Sequence, residues 1–257
     1  MTASPFAQSV AEWMSPALYT VPLSASLEQA DMEMSVRTVS ALIVVDGDAR
    51  AVGVISRTDL LRHRAHAGAI VGSQAAQLAV VDLCRTEAIT VDSEATMREA
   101  ARLMAKQGVH RLMVTDDDEP VGVLSVSDIL RAVAHSRLQS PLSELSSETI
   151  AHIAPDDSVA RAIQRLDSAQ VRGLVVMQDG WPVGVFTQSE ALAAGDAGDD
   201  TRVEHWMSPA VLCLPGSTQL HRAARQSMAM HAPLIVVLDN DKPAGVVTPT
   251  DLLFAVI

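Results

Sequence analysis

Aromatic side chains are nearly absent from this chain: one Tyr, three Phe and three Trp among 257 residues. A core must therefore be built from Ala, Val, Leu, Ile and Met, and the 48% apolar content allows a substantial one. Cysteine is almost as scarce. Cys84 and Cys213 stand far apart with no CxxC spacing, which argues against a disulfide scaffold and fits a reducing compartment. Positive charge is in deficit, 19 basic against 31 acidic residues, for a formal net charge of -12. A duplex nucleic acid partner, held by many Lys and Arg contacts to phosphate, is not expected. A small anion remains possible, because it needs only a local cluster of positive groups. No apolar stretch approaches the roughly 20 residues of a membrane helix. Met1 to Val10 lacks the basic start and apolar run of a signal peptide. The expectation is a soluble, cytoplasmic protein without a membrane partner, and its 27.3 kDa fit one large domain or two medium ones.

What the chain does have is a sentence written four times. Gly53-Val54-Ile55-Ser56-Arg57-Thr58-Asp59 returns as Gly122-Val123-Leu124-Ser125-Val126-Ser127-Asp128, then as Gly184-Val185-Phe186-Thr187-Gln188-Ser189-Glu190 and Gly245-Val246-Val247-Thr248-Pro249-Thr250-Asp251. Trp13-Met14-Ser15-Pro16 likewise returns as Trp206-Met207-Ser208-Pro209. Repeats of this kind outrank composition as evidence of fold. The second copy is the clearest. Ala88 to Val91 is a short β run, and Asp92 or Ser93 can cap a following helix with Glu94 in its first turn. Met97, Ala100, Ala101, Met104 and Ala105 recur at helical spacing, and Gly108 ends that helix. Leu112 to Val114 and Val121 to Leu124 form a hairpin around Asp116 to Pro120, and a second helix runs from about Val126 to His135. The order is β-α-β-β-α, and the other three copies can be laid on it. A unit of about 60 residues buries little surface by itself, so the units should pair. Gly68 to Ser73, Ser136 to Ser143 and Gly195 to Asp200 read as linkers.

The repeated motif has chemistry of its own. At Ser125-Val126-Ser127-Asp128 a strand ends and a helix begins, so unpaired N–H groups and a partial positive charge favour phosphate or carboxylate. A carboxylate held there can accept both hydroxyls of a ribose. The preceding glycine lets another backbone or a flat base come close. The same letters also spell a capping box, Ser or Thr followed three residues later by Asp or Glu, in all four copies.

These features resemble the CBS domain family across about residues 8 to 257. The fold class implied is α/β (α+β), four β-α-β-β-α CBS repeats paired into two Bateman modules. The repeats would span 8–68, 78–137, 141–196 and 202–257, paired as 1–137 and 138–257. His110-Arg111-Leu112-Met113-Val114, with Gly122 to Leu130, especially resembles repeats of the γ subunit of AMP-activated protein kinase. The resemblance implies an adenine nucleotide (AMP, ADP or ATP) in a cleft between paired repeats. Ser56, Thr58, Asp59, Ser125, Ser127, Asp128, Thr248 and Asp251 would hold ribose. Arg37, Arg57, His110, Arg111 and Arg172 would face phosphate, and Thr20, Val21, Thr90 and Val91, at the strand entries, would face the base. Glu190, one methylene longer, and Pro249, which removes a side chain from the motif, make the N-terminal pair the better site.

The function expected is a sensor that regulates an unidentified partner protein in trans, with self-association into a homo-oligomer. The alternative is a scaffold of degenerate repeats with empty clefts. No P-loop, nucleophile with base or paired metal carboxylates appear, so no catalytic residues are assigned. His63 and His66 lie three apart on one helix but have no evident third metal ligand.

Overall fold

The structure, a computed structural model, describes residues 4–67, 78–84, 88–194 and 201–257. The Gly68–Ser73 and Gly195–Asp200 linkers lie outside the described residues. Four small mixed α/β units follow one another. The first holds β1 (Thr20–Pro22), α1 (Leu27–Val36), β2 (Ala41–Val45), β3 (Ala51–Ser56) and α2 (Arg57–Ala67). After the short α3 (Val80–Leu83), the second holds β4 (Thr90–Asp92), α4 (Met97–Gln107), β5 (Arg111–Asp116), β6 (Glu119–Ser125) and α5 (Val126–His135). The third holds β7 (His152–Ile153), α6 (Val159–Ser168), β8 (Gly173–Gln178), β9 (Trp181–Thr187) and α7 (Gln188–Ala193). The fourth holds β10 (Leu212–Pro215), α8 (Leu220–Ala229), β11 (Ile235–Asp239) and β12 (Lys242–Val247), and closes on a single 3-10 turn, Asp251–Leu253. In every unit the first strand runs parallel to the second and the third returns antiparallel.

Local chemistry explains the elements. Three of the hairpins turn through two residues with positive φ at both: Asp117-Asp118, Asp179-Gly180 and Asn240-Asp241. This is the turn whose twist matches that of the flanking strands. The cap of α4 is Thr96 rather than Asp92 or Ser93. Thr96 and Glu99 satisfy each other's backbone N–H groups at 3.2 and 2.8 Å, while Asp92 spends its carboxylate on the Glu94 N–H in a tight turn.

Two kinds of contact tie the units together. Within each pair, the segment leading into one unit crosses to the other. Ser15 exchanges two backbone hydrogen bonds with Val123, and Val80 and Val81 donate to Ala25 and Leu23. Ser147 pairs with Val246, and Ser208 with Val185. This exchange explains the motif glycine. A Cβ on Gly122 would stand 2.7 Å from the Ser15 carbonyl oxygen and 2.6 Å from the Met14 sulfur. Gly184 meets Met207 and Ser208 in the same way, and Gly245 meets Ser146 and Ser147. Of the two roles the sequence suggests for that glycine, close approach by a backbone is the one seen at all three.

Between pairs, the helices pack. α2 lies on α6 and α7, joining units 1 and 3, and α5 lies on α8, joining units 2 and 4. Units 2 and 4 share one continuous apolar core, from Phe6 and Met104 through Ile129 and Val133 to Leu220 and Leu253. The four units therefore close a ring in the order 1, 2, 4, 3.

Candidate functional site

One cavity of about 570 Å³ lies where units 1 and 2 face each other, and unit 3 walls its mouth. Its apolar sides are Ile43 and Val54 from unit 1 and Met113 and Val123 from unit 2. The motif residues Ser56, Thr58, Asp59, Ser125, Ser127 and Asp128 line it, as do His110, Arg111 and Arg172. The folding that places them is simple. Each motif sits where a strand gives way to a helix, and the two helix starts are brought together by the facing sheets.

In all four units the motif carboxylate accepts from the backbone N–H and the hydroxyl of the Ser or Thr three residues earlier. Asp59 Oδ2 accepts from Ser56 N–H at 2.9 Å and from Ser56 Oγ at 2.6 Å. Asp128 Oδ2 accepts from Ser125 N–H and Oγ, both at 2.8 Å. Thr187 with Glu190 and Thr248 with Asp251 repeat the arrangement away from the cavity. Holding this turn is therefore the shared structural task, and the first two carboxylates also line the cavity.

The cations decide the electrostatics. Arg111 stands at the start of β5 and donates from Nη2 to Ser40 Oγ. Burial, reinforced by the neighbouring Arg172 and Arg57 guanidinium groups and opposed by Asp128, pushes its pKa down to about 10. Arg172, from unit 3, donates to Thr58 Oγ1 at 3.3 Å. Burial lowers its pKa as well, with Asp59 opposing. Arg172 lines the cavity while its side chain stays exposed to solvent. Arg57 donates to Ser189 Oγ at 2.9 Å across the seam, while its Nε is buried without a hydrogen-bond partner among the described residues. The Arg172 and Arg57 guanidinium groups, from units 3 and 1, thus lie near enough to Arg111 of unit 2 to act on its charge. Such a cluster is relieved by an anion.

Other residues singled out from the sequence lie elsewhere. Arg37 pairs with Glu33 at 3.3 Å and lies over the Tyr19 ring, outside the cavity lining. Val21 and Val91 point into their own cores, 3% and 8% exposed, and Thr20 and Thr90 turn outward. The cavity meets the residues just before them, Tyr19, Ala88 and Ile89. One step along the chain at a strand entry changes the face presented. Thr248 and Asp251 bond to each other and do not line the cavity. Thr58 lines it but spends its hydroxyl proton on Gln188 Oε1 at 3.0 Å. The His66 side chain lies outside the described residues.

Ser40, Tyr19, Leu166, Gln170 and Gln188 also line the cavity, and the sequence did not single them out. The last three belong to unit 3 and arrive only through packing between pairs, so no local pattern announces them.

In the second pair the matching positions are packed against one another. The residues matching Ile43, Val54, Met113 and Val123 are Val175, Val185, Val236 and Val246, which are 0%, 2%, 0% and 9% exposed and form one apolar cluster with Leu234. Leu234 stands one residue before the Ile235–Val247 pair, the place that Arg111 holds before Leu112–Leu124, and reaches towards Gly173.

The CBS domain family matches four stretches of the chain, residues 10–66, 80–135, 142–196 and 203–257. The chain belongs to the CBS domain family. The fold agrees with solved structures. A protein of Methanocaldococcus jannaschii, MJ1225, proposed as an archaeal homologue of γ-AMPK, aligns with a TM-score of 0.84 at 17% identity, covering 97% of this chain and 100% of that one. An uncharacterized conserved protein from Pyrococcus horikoshii aligns with a TM-score of 0.71 at 20% identity, covering 97% and 100%. In sequence, a 33.4 kDa uncharacterized protein of a Thermofilum pendens ribosomal RNA operon is 25% identical over 169 residues, 61% of this chain and 54% of its own length. The uncharacterized MJ1232 of M. jannaschii is 27% identical over 141 residues, 54% of this chain and 46% of its own length, so the match spans about half of these curated relatives. Among the described residues no helix is long and apolar enough to cross a membrane.

Proposed function

We propose that this CBS-repeat chain is a regulatory module whose N-terminal pair takes an adenine ribonucleotide, AMP, ADP or ATP, and acts on a separate protein. The single observation behind this is the cavity: two guanidinium groups, those of Arg111 and Arg172, with two hydrogen-bonded carboxylates and two apolar walls around one volume of about 570 Å³. That volume falls in the range of small-molecule sites, roughly 300–1,000 Å³. Phosphate would neutralise Arg111 and Arg172. Ribose hydroxyls would donate to Asp59 or Asp128, and the base would lie between the Ile43–Val54 and Met113–Val123 walls. Occupancy would stabilise one arrangement of the four units, and the partner would read that arrangement. The reading also takes the protein to be cytoplasmic and to self-associate. The exposed apolar Met32 and Val36, one turn apart on α1, support the second point.

The filled cleft of the second pair supports a division of labour, in which units 3 and 4 serve as a scaffold for the partner. The test is calorimetric titration and thermal melting of nucleotide-stripped protein with AMP, ADP and ATP. Ligand at 100 times its dissociation constant should add about 2.7 kcal/mol of stability. An Arg111→Met variant should lose that gain. No heat and no shift with any of the three would overturn the reading.

A further inference from the structure

The carboxylate of Asp128 is already largely occupied. An ionised carboxylate offers about four lone-pair positions. Two, on Oδ2, accept from Ser125 N–H and Oγ. Oδ1 faces Arg131, whose Nη2 lies 3.1 Å away, one turn further along α5. A ribose presents two vicinal hydroxyl donors, one more than the position that is left.

Arg131 has a second engagement. The same Nη2 donates to the backbone carbonyl of Trp13, and the guanidinium lies over the Trp13 ring, 5.5 Å from its centroid. His135 meets that ring edge-on at 5.7 Å. Trp13 belongs to the crossing segment that precedes unit 1 and docks on unit 2. Two residues later Ser15 pairs with Val123, and both line the cavity. Arg131 is thus a latch with one end on the site carboxylate and the other on the crossing segment. In units 3 and 4 the equivalent positions hold Ala193 and Phe254, which have no charge to share. Trp206, the counterpart of Trp13, has its Nε1 buried with no hydrogen-bond partner among the described residues.

We infer that a ligand diol displaces Arg131 from Asp128 Oδ1, so that Arg131 sets the affinity of this site and reports its occupancy to the Trp13–Ser15 segment. The inference rests on the reading of the cavity as a ribonucleotide site. A half-exposed ion pair of this kind is a weak competitor, and its removal should tighten binding by about threefold.

The experiment is calorimetric titration of the full chain and of Arg131→Ala with AMP and with 2′,3′-dideoxy-AMP, which has no diol. Arg131→Ala should bind AMP about threefold more tightly than the wild type, and the dideoxy ligand should show no such gain. Arg131→Lys, which keeps charge but loses the planar fork, should fall between. In a Trp181→Phe, Trp206→Phe background Trp13 is the one tryptophan left, so acrylamide quenching reports on it. Quenching should rise on adding AMP, towards the level of Arg131→Ala without ligand. Equal or weaker AMP binding by Arg131→Ala, the same gain with both ligands, or unmoved quenching would overturn the latch while leaving the ribonucleotide site standing. Absence of AMP binding in every protein would overturn the site itself, and the latch with it.

Discussion

Arg111→Met should stabilise the ligand-free protein. In the folded chain the guanidinium pKa is pushed from the ordinary arginine range down to about 10 by burial and by Arg172 and Arg57. At about 1.4 kcal/mol per unit this is a cost of about 3 kcal/mol to holding the charge in place. Methionine removes that cost and fills similar volume. It also removes the hydrogen bond to Ser40, a loss of about 1 kcal/mol, and leaves the Asp128 carboxylate less compensated. The net gain should be about 1–2 kcal/mol, raising Tm by about 2–6 °C for a chain of this size. The sign with pH follows from linkage. A base whose folded pKa is depressed costs stability wherever the unfolded chain holds its proton. The gain should therefore be constant through neutral pH and shrink only as pH rises above about 10. Differential scanning calorimetry at pH 7 and pH 9, without nucleotide, is the assay. A lower Tm for Arg111→Met would refute the idea that the cluster is held together against its own repulsion.

Gly122→Ala should cost about 1–3 kcal/mol, because the new methyl group would press on the Ser15 carbonyl oxygen and the Met14 sulfur, while Gly47→Ala, with open space around it, should cost less than about 0.5 kcal/mol in the same urea titration. Thr96→Ala should cost about 1 kcal/mol at neutral pH through loss of the α4 cap. The Thr96 N–H and hydroxyl hold the Glu99 carboxyl below its ordinary range, so the part of the cap that the hydroxyl gives to the carboxylate is present above about pH 4 and is lost as pH falls through the lower folded value, while the bond from the Glu99 N–H to the hydroxyl remains. Denaturation series at pH 7 and pH 3 check it, the gap between wild type and variant narrowing at the acid end.

Much of the fold could be read from the chain because the signals are local and repeated. The α4 apolar face, the Gly108 terminus and the hairpin strands around Asp116 to Pro120 all carry their reason within a few residues. Asp59 and Asp128 could be read for the same reason, since a helix start announces itself by its cap. The crossing segments could not. Trp13 to Ser15 has the letters of a unit opening, yet its partner is a strand more than a hundred residues later. Arg172 was legible as a cation, but its arrival beside Arg111 depends on α2 packing against α6 and α7. The strand-entry residues erred by one position because a three-residue strand has too little alternation to fix its facing. That Leu234 stands where the first pair has Arg111 is a contrast that appears only once the strands are aligned.

The ring has a consequence for any attempt to divide the molecule. Crossing segments join units 1 with 2 and 3 with 4, while helix packing joins 1 with 3 and 2 with 4. A cut between Ser136 and Ser143 severs no crossing segment but halves the largest core, baring Ile129, Ala132 and Val133 of α5 together with Leu220 and Ala224 of α8. Each half would emerge properly braided and greasy along one side. The surface best shaped to cover it would be the same side of its twin, so bisecting the gene should yield dimers of halves in place of two soluble modules.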